Sequence, residues 1–460
     1  MQAKRLSFMA GMFLTLLLAA CAPVPLSTRA AQTTAVQPDQ ARSTSSQART
    51  EPSPLDTVTP SFSRPTQVTN PYLPLSRTQH AVFLGEEAGK PFRAEIRLLP
   101  QTKNIAWDGG ATDAIVVQYS AFAAGQLIEV AYDYYAQADD GAVYYLGEDV
   151  YNYADGQVVD QDGSWLAGRD GARPTLIMPA QPAPGMVFHP ENLPDVAFET
   201  AEVTAVDASV TTPATGQRTD GVRIQETQMD GSVEYKTYGA QVGELVAEAA
   251  DENSQLAVFL PTDAAASTIP APLDTIEAQA EDIFDFVPQA DWARIADDVN
   301  LVKTAWQTYA AQDAPRPVPD LFLRNLDTSL ARLDDAVTQQ DAAATLQAAN
   351  DLSSAVVDLF SVYNPLPPAD LGRLDMLERQ VILDVQAGDY SAAANTLAIT
   401  DAIWTRLQGD VLALHADDAA AQFSASISTQ QDALAAQDGQ ALIQEATNGL
   451  ELVDVLEGVF

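Results

Sequence analysis

The sequence predicts a two-part, β-then-α chain: an antiparallel β-meander curling into a barrel or half-barrel, then an all-α bundle of antiparallel helical hairpins. Three observations predict it. Between residues 70 and 261, short runs rich in β-branched and aromatic residues alternate with Asp-Gly pairs. Beyond residue 275, apolar residues recur at steps of three and four. In that same half an aspartate returns at Asp291, Asp341, Asp389 and Asp438, at successive spacings of 50, 48 and 49 residues.

The chain opens with an address. Lys4 and Arg5 precede an apolar run from Phe8 to Ala20, too short to span a bilayer, which takes roughly 20 residues. The run ends in Leu18-Ala19-Ala20-Cys21, which matches the lipobox of bacterial lipoproteins, and Cys21 is the one cysteine of the chain. Residues 1–20 are therefore expected to be a signal peptide, with Cys21 lipidated and the rest extracytoplasmic, held to a bacterial cell membrane. From residue 22 to 69, 34 of 48 residues are Ala, Ser, Thr, Pro or Gln. Such a composition buries too little apolar surface to offset ordering entropy, so residues 21–69 read as a disordered tether.

The β-domain is expected over 70–261. Runs such as 114–121, 126–135, 142–146, 222–227 and 233–238 have strand composition. Seven Asp-Gly pairs accompany them, at Asp108, Asp140, Asp155, Asp162, Asp170, Asp220 and Asp230. Asp-Gly suits the two positive φ angles of a type I′ hairpin turn. The strands are not separated by helical crossovers, which argues against a parallel sheet.

Residues 262–275 read as a linker rich in Ala, Ser and Pro, and 276–460 as helices. Leu323, Leu326, Leu330, Leu333 and Val337 form one amphipathic stripe; Ala393, Leu397, Thr400, Trp404, Leu407 and Val411 form another. The recurring aspartate reads as the N-cap of the second helix of each hairpin, accepting N–H groups that lack an intrahelical partner. About seven long helices result.

Composition excludes several functions. With 24 Lys+Arg against 63 Asp+Glu, the net charge is −39, which argues against nucleic acid as a partner. One Cys excludes an internal disulfide, a CxxC pair and multi-Cys zinc sites. No P-loop, G-x-G-x-x-G, HExxH, EF-hand loop or G-x-S-x-G elbow occurs, so no cofactor is expected. Asp160-Gln161-Asp162-Gly163 begins like a calcium loop but lacks the later ligands, and reads as a turn. His415 and Met376 carry no pattern that would support haem. The candidate ligand groove is Asp133, Tyr135, Tyr144, Tyr145, Glu148 and Asp149. Alternation puts Tyr132 and Tyr134 on one face of a strand and Asp133 and Tyr135 on the other. Carboxylates ringed by aromatics suit a sugar, and a carboxylate pair at the right separation suits glycosidase chemistry. Plain cross-strand aromatic packing is the alternative.

The β-rich half also resembles a family of uncharacterised secreted bacterial proteins. The resemblance rests on ordered blocks: 70–75 (NPYLPL), 133–137 (DYYAQ) leading into 141–149 (GAVYYLGED), 163–168 (GSWLAG), 170–172 (DGA), 177–179 (IMP), and 234–239 (EYKTYG) followed by Val242-Gly243. The family usually follows its opening motif with Gly-Thr-x-Trp, where this chain has Arg77-Thr78-Gln79-His80. If that Trp fills the barrel, a smaller side chain must do so here. The resemblance implies a secreted β-domain and supplies no activity.

The acid excess has three readings: a solvated face suited to salty surroundings, attraction of a basic partner, or clusters holding Ca²⁺ or Mg²⁺. The chain is thus expected to be an envelope-anchored, non-enzymatic binding or scaffold protein, with a basic protein or a glycan as partner. A divalent-cation module is the alternative, and an enzyme acting on an envelope glycan the third reading.

Overall fold

The computed structural model describes residues 55, 59–193, 196–312 and 316–460. The signal peptide, Cys21 and most of the tether lie outside the described residues.

The β-half is one antiparallel sheet. Strands β1 (Thr78–Glu87), β2 (Lys90–Trp107), β3 (Gly110–Ala123), β4 (Gln126–Gln137) and β5 (Val143–Ala154) run as a meander. Three short strands, β6 (Gln157–Asp160), β7 (Trp165–Leu166) and β8 (Thr175–Met178), line up along the free edge of β5. Beyond them β9 (Val187–Phe188) and β10 (Asn192–Leu193) pair with β11 (Ala197–Thr212). The meander resumes through β12 (Gly216–Gln228), β13 (Val233–Gly239), β14 (Gly243–Glu248) and β15 (Glu252–Pro261), and β15 returns to pair with β1. The sheet curls but does not close. Across the gap Thr175 Oγ1 donates to the Pro190 carbonyl, which ties the β5 edge to the β9–β10 segment.

The turns differ in part from the Asp-Gly expectation. Asp155-Gly156 closes β5–β6 with both residues at positive φ, 50° and 71°. Ala88-Gly89 and Ala124-Gly125 make the same kind of turn without an aspartate. Asp220-Gly221 is no turn at all but lies within β12. What these three hairpins share is glycine at the second position, because glycine tolerates positive φ without steric cost.

Two boundaries move. Residues 59–69, expected in the tether, pack on the sheet: Val68 is fully buried, and Phe62 meets Trp107 and Tyr144 edge-on. The serines there are tied to the β4–β5 connection, where Asp139 accepts from the Ser61 and Ser63 hydroxyls and from the Ser63 N–H. The helical half begins at α1 (Ala271–Phe286), inside the expected linker.

Eight α-helices follow among the described residues, one more than expected: α1, α2 (Trp292–Ala310), α3 (Asp320–Gln339), α4 (Ala342–Phe360), α5 (Ala369–Ala387), α6 (Tyr390–Ala413), α7 (Asp417–Ala435) and α8 (Gly439–Glu457). All four repeating aspartates are N-caps. Asp291, Asp341, Asp389 and Asp438 accept from the N–H of Arg294, Ala344, Ala392 and Ala441, at the starts of α2, α4, α6 and α8. Each such cap is worth about 1 kcal/mol. Pro270, Pro319 and Pro368 stand just before α1, α3 and α5, so the first three hairpins open on a proline and turn on an aspartate, while the fourth opens at Ala416. Helices α1–α4 form one bundle, with α1 closing on α4, and α5–α8 form a second, with α5 closing on α8. Both predicted stripes face these cores, although Leu323 is only partly buried.

The two halves touch, with α6 lying against the convex face of the sheet. Gly156 comes so close to its backbone that a Cβ there would meet Ala394 C at 2.2 Å. The Ala402 carbonyl accepts from Gln118 Nε2, and Asn395 Oδ1 accepts from the Leu127 N–H. The centre of the junction is charged. Glu95 on β2, 2% exposed, accepts from Arg93 Nε (2.7 Å), Arg373 Nη1 (2.6 Å) and Arg406 Nη1 (2.7 Å). Arg406 makes two further bonds to Asp370, and Asp358 accepts from Arg93 Nη1 and Arg373 Nη2. Three arginines and three carboxylates balance. His80 joins them with Nε2 3.4 Å from Glu95. His80 therefore faces the helices and not the barrel interior.

Candidate functional site

On the concave face, strand alternation and one irregularity assemble the site. In register, Asp133 of β4 stands opposite Glu148 of β5, and Tyr135 opposite Tyr145. Two residues on β4 thus span three on β5, so β5 carries a bulge at Leu146-Gly147. Gly147 sits at φ 124°, where a Cβ would lie 2.3 Å from the Trp165 carbonyl oxygen. The bulge puts Tyr145 and Glu148, an odd number of residues apart, on one face. Tyr135 and Tyr145 stack at 4.8 Å, and Trp165 meets Tyr145 edge-on at 5.3 Å. Tyr145 Oη donates to Asp133 Oδ1 at 2.9 Å.

Four of the six expected groove residues come together in this way. The other two do not. Tyr144 packs against Phe62 on the opposite face, and Asp149 accepts from Lys103 Nζ (2.9 Å) and Tyr134 Oη there. The bulge shifts the alternation past residue 146, which simple period-two reading of the run 144–149 misses.

The concave face holds far more carboxyls than the sequence reading proposed. Three pairs stand directly opposite one another on neighbouring strands: Asp133 with Glu148, Glu226 with Glu234, and Glu87 with Glu252. Glu129, Glu191, Glu199 and Glu244 join them, and Lys236 is the one base lining the cavity among the described residues. Its Nζ lies 2.7 Å from Glu226 and 3.5 Å from Glu234. Burial, reinforced by neighbouring carboxylates, pushes Glu129 and Glu252 up to about 8. Burial likewise raises Asp133 to about 7, against the hydrogen bonds from Tyr145 and Tyr135. Glu148, Glu199 and Glu234 are held well above the usual carboxylate range, by burial first. The sequence signal for them was available: a lone acid at an inward position, as in the row Glu234, Lys236, Tyr238 on β13.

Glu129, Asp133, Glu148, Lys236, Glu244 and Glu252 of these groups line a cavity of about 110 Å³. Its apolar wall includes Phe83, Phe92, Ile96, Val117 and Leu256, and its polar wall Tyr119, Glu129, Asp133, Glu148, Lys236 and Glu252. The segment Leu73-Pro74-Leu75 covers one end, fastened by Gln137 Oε1 accepting from the Thr69 and Asn70 N–H groups and by the Gln241 N–H donating to Pro71. The carboxyls of Glu87 and Glu252 mark the other end, where the β1–β2 and β14–β15 hairpins turn side by side.

Glu277, Glu281 and Asp375 bring carboxylate oxygens within 4.8 Å of one another, as a cation would need. Arg379 already lies among them, 3.6 Å from Glu277, 3.3 Å from Glu281 and in direct contact with Asp375. A cleft of about 360 Å³ opens at the seam of the two halves beside His80, Arg97, Arg373 and Asp370; Arg97 pairs with Asp410, and the others belong to the Glu95 junction. No helix among the described residues is long and apolar enough to cross a membrane. Comparison of the chain with protein-family models, curated proteins and solved structures finds no match.

Proposed function

We propose that the chain is an envelope-anchored lipoprotein whose half-barrel is a non-enzymatic binding module, with its ligand seat in the concave cavity. One observation carries the reading. Like charges placed directly across a strand pair destabilise a sheet, yet the sheet carries three such pairs, and Asp133, Glu148 and Glu252 of them line one hollow. A fold that keeps them needs a compensating use, and perturbed carboxyls in a concave site are the usual mark of one. The glycosidase reading has less support. Ordinary ligand clefts run from about 300 Å³ upward, and the cavity here is about 110 Å³, too small for a glycan chain laid between the carboxyls. The anchor reading rests on Leu18-Ala19-Ala20-Cys21.

Cys21→Ser is expected to move the protein from the membrane fraction to the soluble fraction. Retention of the variant on the membrane would overturn the anchor. For the seat, the Cys21→Ser full chain is melted with glucose, N-acetylglucosamine, glycine betaine or putrescine. At least one should raise the melting temperature saturably, and Ala94→Phe and Ala131→Phe, which fill the cavity from different strands, should each abolish that rise. The reading fails if no compound shifts the transition or if the shift survives in both filled variants.

A further inference from the structure

We infer that the ligand of the half-barrel is a linear organic polycation, a di- or polyamine whose protonated nitrogens are separated by short methylene chains. This rests on the binding reading above and names the class of ligand.

The protein contains its own example of the recognition. Lys236 is an ammonium on a four-carbon stem, and it neutralises the opposed pair Glu226 and Glu234. The other two opposed pairs, Asp133 with Glu148 and Glu87 with Glu252, have no ammonium or guanidinium at ion-pair distance among the described residues. Each is the same kind of seat without its cation. Glu148 shows this most directly. It is 2% exposed and lines the cavity; among the described residues its Oε1 accepts from no N–H or O–H donor, and its carboxyl meets only that of Glu191, with which it shares a hydrogen bond. An N–H donor entering the cavity would satisfy an acceptor that burial makes costly to leave open.

A metal ion fits less well. Ca²⁺ gathers six to eight oxygens at about 2.3–2.6 Å around one point. Among the described residues, the one triad of carboxylate oxygens within 4.8 Å is Glu277, Glu281 and Asp375, outside the half-barrel. Here the acids come as separated pairs, and separated pairs call for separated charges. Between them the wall is apolar, with Phe83, Phe92, Val117 and Leu256. Methylene groups can lie against such a wall, whereas a hydrated ion or a sugar would leave hydroxyls or waters facing it.

Proton release follows from the same groups. Asp133 faces Tyr135, Tyr145, Glu148, Glu191 and Lys236, and Glu252 faces Glu87, Glu244, Asp251 and Lys236. Most of these neighbours are acidic or phenolic, so both carboxyls hold protons to near or above neutral pH. An entering ammonium takes the place of the proton: R–NH₃⁺ binds, the carboxyl ionises, and H⁺ leaves to buffer.

The test is calorimetric titration of the Cys21→Ser full chain with putrescine, spermidine, Ca²⁺ and N-acetylglucosamine at pH 6 and pH 8. Putrescine or spermidine should bind saturably, release protons measurable as a buffer-dependent heat, and tighten by up to about tenfold per pH unit for each proton displaced. Glu148→Gln and Glu252→Gln should each weaken binding by roughly tenfold or more. Amine binding unchanged in both variants and in Ala131→Phe would mean counterions on an acidic surface, and would overturn the inference. If the sugar or glycine betaine shifts the melt while the amines give no heat, the seat stands and the polycation is wrong. If no probe binds, both fail.

Discussion

Replacing Glu95 with Gln is expected to cost about 3–5 kcal/mol, the usual cost of leaving a buried charge without its partner. Glu95 is the one carboxylate shared by Arg93, Arg373 and Arg406, and it is 2% exposed. Those arginines hold its carboxyl well below the ordinary range despite burial. Without its charge, three guanidiniums share two carboxylates in a space closed to water. The strain falls on the junction, because Arg93 belongs to the sheet and Arg373 and Arg406 to the helices. Chemical denaturation of the variant should therefore resolve into two steps, one for each half, where the wild type unfolds with the halves coupled. Amide exchange should rise along β2, α5 and α6. A single transition at the wild-type midpoint would show that the apolar contacts of Leu127 and Val130 with Ala398 and Ala402 suffice to hold the halves together.

The second large effect is with pH, and its sign comes from the concave carboxyls. Glu129, Glu252 and Asp133 bind protons more tightly folded than unfolded, at about 8, 8 and 7. Glu378, buried in the second bundle, is pushed up to about 8 as well. A raised carboxyl contributes stability that is complete below the unfolded value near 4 and is lost as pH rises toward the folded value. A tenfold displacement of one proton equilibrium is worth about 1.4 kcal/mol, so the group together amounts to several kcal/mol. Melting temperature should fall from pH 5 to pH 8.5 by on the order of 10 °C, then level off. Below pH 4 the trend reverses, because Glu95 and Asp370, held low by the junction arginines, lose their stabilising charge as they protonate. General repulsion in a chain of net charge −39 pushes in the same direction at high pH. Two controls separate them. In 1 M NaCl the surface part is screened, while Glu129→Gln and Glu252→Gln remove the interior part and should stabilise the protein at pH 8.5. A flat profile, or variants that melt lower at pH 8.5, would contradict this account.

Much of the candidate site is legible in the sequence. Asp133 and Tyr135 were placed on one face by alternation along β4, and the structure has them there. Of the expected groove residues on the other face, Asp149 lies there because the bulge at Gly147 displaces the alternation of β5 by one residue, and Tyr144 because it directly precedes the inward Tyr145 in a regular stretch of strand. A glycine in a strand is a hint of such a bulge, but which glycine bulges depends on what presses against it. For Gly147 that is the carbonyl of Trp165, in a strand that sequence composition does not announce.

The sequence by itself determined the order of the halves, the antiparallel pairing, the helical stripes and the four aspartate caps. All of these are local. A period of two or of three to four residues, or an acid just before a helix, is a signal contained in a short window, and the backbone answers it whatever lies further away. Only the tertiary structure decided that the halves touch, that residues 59–69 leave the tether for the sheet, and that Glu95 meets Arg373 and Arg406. Those partners stand 278 and 311 residues apart in the chain. Charge pairs at such separation leave no trace in periodicity, since either residue alone reads as an ordinary surface charge. Their meeting depends on how a curled sheet and two bundles close on one another.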